Sequence, residues 1–245
     1  MAMQYRQSWA ANHASIRGVR RLARPWMGFV GGLCWFSSQV HAAGGHHAVD
    51  DAAILAPGQC EVEVWADRER HGARALGHVG PACRLGPVEI GLNLDRTHTT
   101  GAGSTTFGGP QVKWAHGVTD SLSIGALYGT SWRDRTPGTR SSLLLFPVSW
   151  QASDTIAVHL NLGKDFQRGG GAPDTRRSGA AVEWAASSTW SFVGERFRES
   201  ETNLWRIGAR YAVNETTTLD LSQARGLQGS VPPWWTLGLT WSFAR

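Results

Sequence analysis

The sequence predicts an all-β fold: an antiparallel up-and-down transmembrane β-barrel of about twelve strands, behind a cleaved signal peptide. Two observations carry that prediction. Near the C-terminus, Trp235, Leu237, Leu239, Trp241 and Phe243 alternate with Thr236, Gly238, Thr240 and Ser242. This is the two-residue period of a strand with one greasy face. On that face aromatics stand at each end and leucines in the middle, the order of a membrane cross-section. The second observation is that similar alternation recurs upstream, between connections that are short and long by turns.

The N-terminus reads as an export signal. Arg6, Arg17, Arg20, Arg21 and Arg24 form a basic region with no acid, and an apolar stretch follows from Trp26 to Phe36. Val40-His41-Ala42 then offers small residues at the −3 and −1 positions of a cleavage site. The apolar run is too short to span a bilayer as a helix. Residues 1–42 are therefore assigned to a signal peptide. The chain carries a formal charge of +5, and those five arginines account for all of it. The mature chain is neutral, which removes a nucleic-acid partner from consideration.

Residues 43–57 read as a periplasmic N-terminal tail. Gly44-Gly45-His46-His47, with Asp50 and Asp51, offers metal-binding groups, and if cleavage fell after Ala43 the free amine, two backbone nitrogens and His46 would suit square-planar Cu(II) or Ni(II). His41 at −3 disfavours that cut, and a flexible tail is the preferred reading. No metal site or cofactor is assigned.

Residues 58–245 form the barrel. Strands are expected at roughly 58–69, 74–83, 87–97, 107–118, 121–133, 140–151, 155–166, 176–186, 189–199, 203–213, 216–225 and 234–243. Val88, Ile90, Leu92 and Leu94 oppose Glu89, Gly91, Asn93 and Asp95; Ile156, Val158, Leu160 and Leu162 oppose His159, Asn161, Gly163 and Asp165. Tight connections fall at Arg84-Leu85-Gly86, Thr119-Asp120, Ala152-Ser153-Asp154, Ser187-Ser188 and Asn214-Glu215. Longer ones run from His98 to Thr106, Asp134 to Thr139, Gln167 to Thr175 and Gly226 to Pro233; those at His71-Gly72 and near Ser200 are short exceptions.

Threading the strands up and down sorts the tryptophans. Trp114, Trp150, Trp184, Trp190 and Trp241 fall at the short-turn end, and Trp132, Trp205, Trp234 and Trp235 at the long-loop end. Trp65 is unassigned. Two belts belong to interfacial anchoring rather than to core packing. A secreted β-sandwich explains the alternation but neither the belts nor the turn asymmetry.

The signal, the paired girdles, the even strand count and the closing Leu237-Gly238-Leu239-Thr240-Trp241-Ser242-Phe243 resemble small proteobacterial outer-membrane β-barrels. The resemblance covers roughly residues 58–243 and is architectural. It implies outer-membrane lipid as surroundings and the barrel-assembly machinery as a biogenesis partner, with Phe243 as the terminal aromatic that machinery reads. Here Ala244-Arg245 follow the Phe.

Two cysteines remain after the signal. Pairing about a turn at His71-Gly72 places Cys60 directly opposite Cys83 on one face, within reach of a disulfide. A turn one residue longer would shift the register and leave two free thiols.

With apolar faces toward lipid, the interior carries Glu61, Glu63, Glu89, Asp95, Lys113, His159, Asp165, Glu183, Glu195, Arg206, Arg210 and Asp220. Glu183, Glu195, Arg206, Arg210 and Asp220 share one wall. This mixed lining suits either a structural charge network or an ion or solute path. Catalysis is not expected. Asp95 and His98 point to opposite faces of a strand, and His159 lies about 20 Å from Asp165 at about 3.3 Å per residue. A narrow passive channel or transporter-like barrel is the leading functional reading, a sealed structural or interaction barrel the alternative, and an outer-membrane hydrolase is less favoured.

Overall fold

The computed structural model describes residues 46–245 apart from 71, 135–137, 139, 170 and 228–230. The signal-peptide assignment and Gly44-Gly45 lie outside the described residues. Twelve strands run in chain order: β1 (Gln59–Glu69), β2 (Arg74–Leu85), β3 (Val88–Thr99), β4 (Gly103–Gly117), β5 (Leu122–Arg133), β6 (Arg140–Ser153), β7 (Ile156–Arg168), β8 (Thr175–Ala185), β9 (Trp190–Glu199), β10 (Thr202–Ala212), β11 (Thr217–Gly226) and β12 (Trp234–Ala244). Each pairs antiparallel with its chain neighbour, and β1 pairs β12 from Gln59↔Ala244 to Glu69↔Trp234, closing the barrel. Closure leaves no free sheet edge, which the hydrocarbon of a membrane demands.

The outward faces are apolar where the alternation placed them. Leu92, Leu94, Leu162, Ile207 and Leu237 are 53–68% exposed, part of a band that a soluble monomer would not present to water. Trp114, Trp132, Trp150, Trp184, Trp190, Trp235 and Trp241 are likewise exposed. Half-buried Trp205 lies under the Arg225 guanidinium, and Phe243 packs on Trp241 at 4.8 Å. Cys60 and Cys83 are bonded, in register, with Cα atoms 4.0 Å apart.

Three expectations change. The connection expected from His98 to Thr106 is mostly strand, because β3 and β4 stay paired to Thr99↔Gly103. Trp234, expected in the long-loop belt, turns inward, as does the unassigned Trp65. Trp65 stacks on His78 at 4.7 Å, and Trp234 packs on the interior apolar cluster beneath the Arg206 guanidinium. Trp234 and Trp235 are adjacent on one strand, so only one can face lipid. Finally, residues 46–55 are not a tail outside the barrel: His46, His47, Val49, Asp50, Asp51 and Leu55 are each at most 3% exposed. They occupy the lumen, where the wall supplies the partners that solvent would otherwise provide.

Candidate functional site

The site is the lumen together with the segment 46–55 that fills part of it. Inward positions of every strand face this space, so its chemistry is set by the polar half of each alternating pattern. From Leu55 at the short-turn end, the segment crosses the barrel and rises to His46 at about mid-height. The wall meets its backbone at His46, Ala48, Val49, Asp50, Ala52 and Leu55. Glu89 Oε2 accepts from Leu55 N–H at 2.9 Å, and Arg84 donates to Leu55 O at 2.9 Å. Ser149 Oγ accepts from Ala52 N–H at 2.8 Å, and the Asn161 side-chain amide exchanges two bonds with Asp50, both 2.7 Å. The two oxygens of Glu195 accept from Ala48 and Val49 N–H at 3.1 and 2.8 Å. Arg206 donates to His46 O, and His46 Nε2 meets Ser222 Oγ at 2.5 Å.

Side chains complete the seat. Lys113 Nζ bridges Asp50 Oδ1 and Asp51 Oδ1, each at 2.8 Å, with all three groups fully buried. Removing one member of such a group leaves uncompensated charge in the interior, costing about 3–5 kcal/mol. Val49 fits among Ala181, Val193, Phe197 and Leu204. A Cβ at Gly179 would stand 2.6 Å from Val49 Cγ2, so the groove requires glycine there.

The wall charges pair among themselves as well. Arg206 lies 3.2 Å from Glu195, and Arg210 bonds Asp220 at 2.8 Å. His159 Nδ1 meets Ser149 Oγ at 2.8 Å, with Glu183 3.9 Å from its other nitrogen. Ser149 lies against the segment backbone, which leaves this trio a link between wall and segment. Glu61 and Glu63 are buried in the lower lumen. His46 and His47 stack at 4.6 Å, and no group of three metal-ligating side chains assembles among the described residues.

Above the segment the lumen opens toward the loop end as a vestibule. A cavity of about 380 Å³ is lined by Trp65, His78, Asp95, Phe107, Asp165 and Arg177, among others. His78 Nδ1 bonds Asp95 at 2.7 Å, and Arg177 bridges Asp165 and Glu199. In the loops beyond, Asp174 is held below the usual carboxylate range by the Gln167 N–H and by Lys164. Glu201 is lowered by Arg198 and the Arg176 N–H.

Every interior charge expected from the alternation thus faces the lumen, but they divide. Glu89, Lys113, His159 and Glu195 contact the segment or its direct partners. Arg206 does too, while Glu183, Arg210 and Asp220 brace the wall beside it. Asp95 and Asp165 belong to the vestibule. Sequence reasoning missed the segment itself, the inward Val193–Phe197 cluster and His78. In Phe192-Val193-Gly194-Glu195 both phases carry an apolar residue, so the inward one is not legible locally.

A closed antiparallel barrel with an apolar exterior and a charged interior defines the class of transmembrane β-barrels. Within it, the chain belongs to the family described as Uncharacterised conserved protein UCP029691, whose model matches residues 33–243. No curated protein matches it by sequence. Among solved structures it is similar to the KdgM porin in complex with disordered oligogalacturonate, at 9% identity and TM-score 0.60, covering 75% of this chain and 99% of that one. The NanC porin aligns at 9% identity and TM-score 0.59, covering 74% and 98%. The COG4313 outer membrane channel from Pseudomonas putida F1 aligns at 11% identity and TM-score 0.55, covering 79% and 98%. At these identities the likeness shows a shared fold.

Proposed function

We propose that this protein is an outer-membrane channel for ions or small solutes, and that segment 46–55 plugs its lumen on the periplasmic side of the vestibule. The carrying observation is the seat itself. A chain segment held inside a closed barrel by side chains from at least seven strands obstructs the path along the axis, and its one covalent tether among the described residues is its run into β1. Short turns then face the periplasm and longer loops the outside. The channel folds of the structural neighbours support the reading, as does the charged lining, which favours water and polar solutes over hydrocarbon. Among the described residues the buried Ser149–His159 pair is taken up by the segment backbone, and enzymatic activity is not proposed.

The test is single-channel conductance in planar bilayers of the protein with and without residues 46–55, using heat-shifted electrophoretic mobility as the folding control. Rare or small steps from the intact protein and large, frequent steps after deletion are expected. Silence from a correctly folded deletion variant would overturn the channel reading in favour of a sealed barrel.

A further inference from the structure

The outward faces of the strands differ at the two ends of the barrel. At the short-turn end they present Trp150, Trp184 and Trp241, and among the described residues no strand carries an outward lysine or arginine there. At the loop end, four consecutive strands, β6 to β9, present Arg140, Lys164, Arg168, Arg176, Arg196 and Arg198 outward. The register sets like charges side by side: Arg140 is directly opposite Arg168, and Lys164 is directly opposite Arg176. Such pairs destabilise a sheet unless an anion comes between them. Two carboxylates answer these six cations. Asp174 reaches Lys164 at 3.1 Å and Arg168 at 3.5 Å, and Glu201 pairs with Arg198. Among the described residues, Arg140 and Arg196 have no ion pair.

An apolar groove of about 560 Å³ lies directly below Arg196, on the lipid-facing surface. It is open at Gly194, where nothing stands within 4 Å of a Cβ position, and Val182, Phe192, Ile207 and Leu221 flank it. Cations at headgroup level above an acyl-sized slot are complementary to an amphipathic phosphate ester.

We infer that this face binds lipid A, the phosphorylated glycolipid of the outer leaflet, with its phosphates on the β6–β9 cations and one acyl chain over Gly194. The inference rests on the outer-membrane orientation proposed above. Four strands span roughly 14 Å at about 4.8 Å per strand, room for a headgroup with phosphates at two ends. Guanidinium–phosphate contacts are bidentate and charge-assisted, and they convert the repulsion within the cluster into attraction. A phospholipid of the inner leaflet would meet the opposite rim, where Arg245, just beyond β12, is the one exposed arginine or lysine among the described residues.

Native mass spectrometry of the detergent-refolded protein, titrated with lipid A or with phosphatidylglycerol, tests this. Lipid A is expected to be retained in preference to phosphatidylglycerol. The double variant Arg176→Gln/Arg196→Gln should weaken lipid A binding at least about tenfold, from two lost charge-assisted contacts. Gly194→Leu leaves every charge in place and should weaken it several-fold by filling the slot. Equal retention by the wild type and both variants, or no preference for lipid A, would overturn the inference. Orientation is read separately. Ala172→Cys should react with a membrane-impermeant maleimide on intact cells. Absence of labelling refutes the orientation, whereas labelling without lipid A preference refutes the lipid site alone.

Discussion

Replacing Lys113 with methionine should unseat the segment inside the barrel. The side chain keeps its length, but the ammonium that bridges Asp50 and Asp51 is lost, and both carboxylates are fully buried. Breaking a buried ionic group of this kind costs about 3–5 kcal/mol. The main opposing anchor is Glu195, whose two bonds to Ala48 and Val49 N–H contribute roughly 1.5–3 kcal/mol each. The loss is therefore comparable with the strongest remaining attachment. Converted at about 1.4 kcal/mol per factor of ten, it shifts the balance between seated and released segment by roughly two to four orders of magnitude. Two assays report on it: single-channel open probability, and amide hydrogen exchange across residues 48–55. A variant that stays as closed as the wild type, with those amides equally protected, would refute the reasoning that this ion group seats the plug.

Other perturbations probe neighbouring parts of the account. Gly179→Val places carbon where Val49 now sits and should raise the conductance of the folded barrel, with hydrogen exchange at Val49 rising in step; an unchanged trace would mean the groove does not depend on that glycine. Cys60→Ala/Cys83→Ala opens a loop with a sequence separation of 23. It should cost about 3 kcal/mol of stability, read as a lower urea midpoint of the heat-shifted band. Phe243→Glu is expected to lower the yield of assembled barrel in cells while the purified chain still refolds in detergent. Normal assembly would remove the role proposed for that terminal aromatic with the assembly machinery.

Much of the architecture was legible because a membrane strand announces itself locally. The period of two in Val88–Leu94 or Trp235–Phe243 assigns each side chain to lipid or lumen without knowledge of any partner, and tight turns mark where strands reverse. Even the Cys60–Cys83 bond follows from a single hairpin register. Locality also explains the misreading at His98–Thr106. Its threonines and glycines look like loop, yet β3 and β4 pair through much of it because cross-strand bonds reward the extended form.

What the sequence alone determined is thus the strand count, the two faces and the charged residues that line the interior, since each depends on neighbours a few positions away. Only the tertiary structure decided where residues 46–55 go. Their partners lie 34 positions away at Glu89, 146 at Glu195 and 176 at Ser222, and they converge only when β1 meets β12 and the wall closes. A polar stretch rich in His and Asp has the composition of a solvated tail. In a closed lumen lined by Lys113, Asn161, Glu195 and Arg206, the same polar groups find fixed partners, and burial becomes favourable.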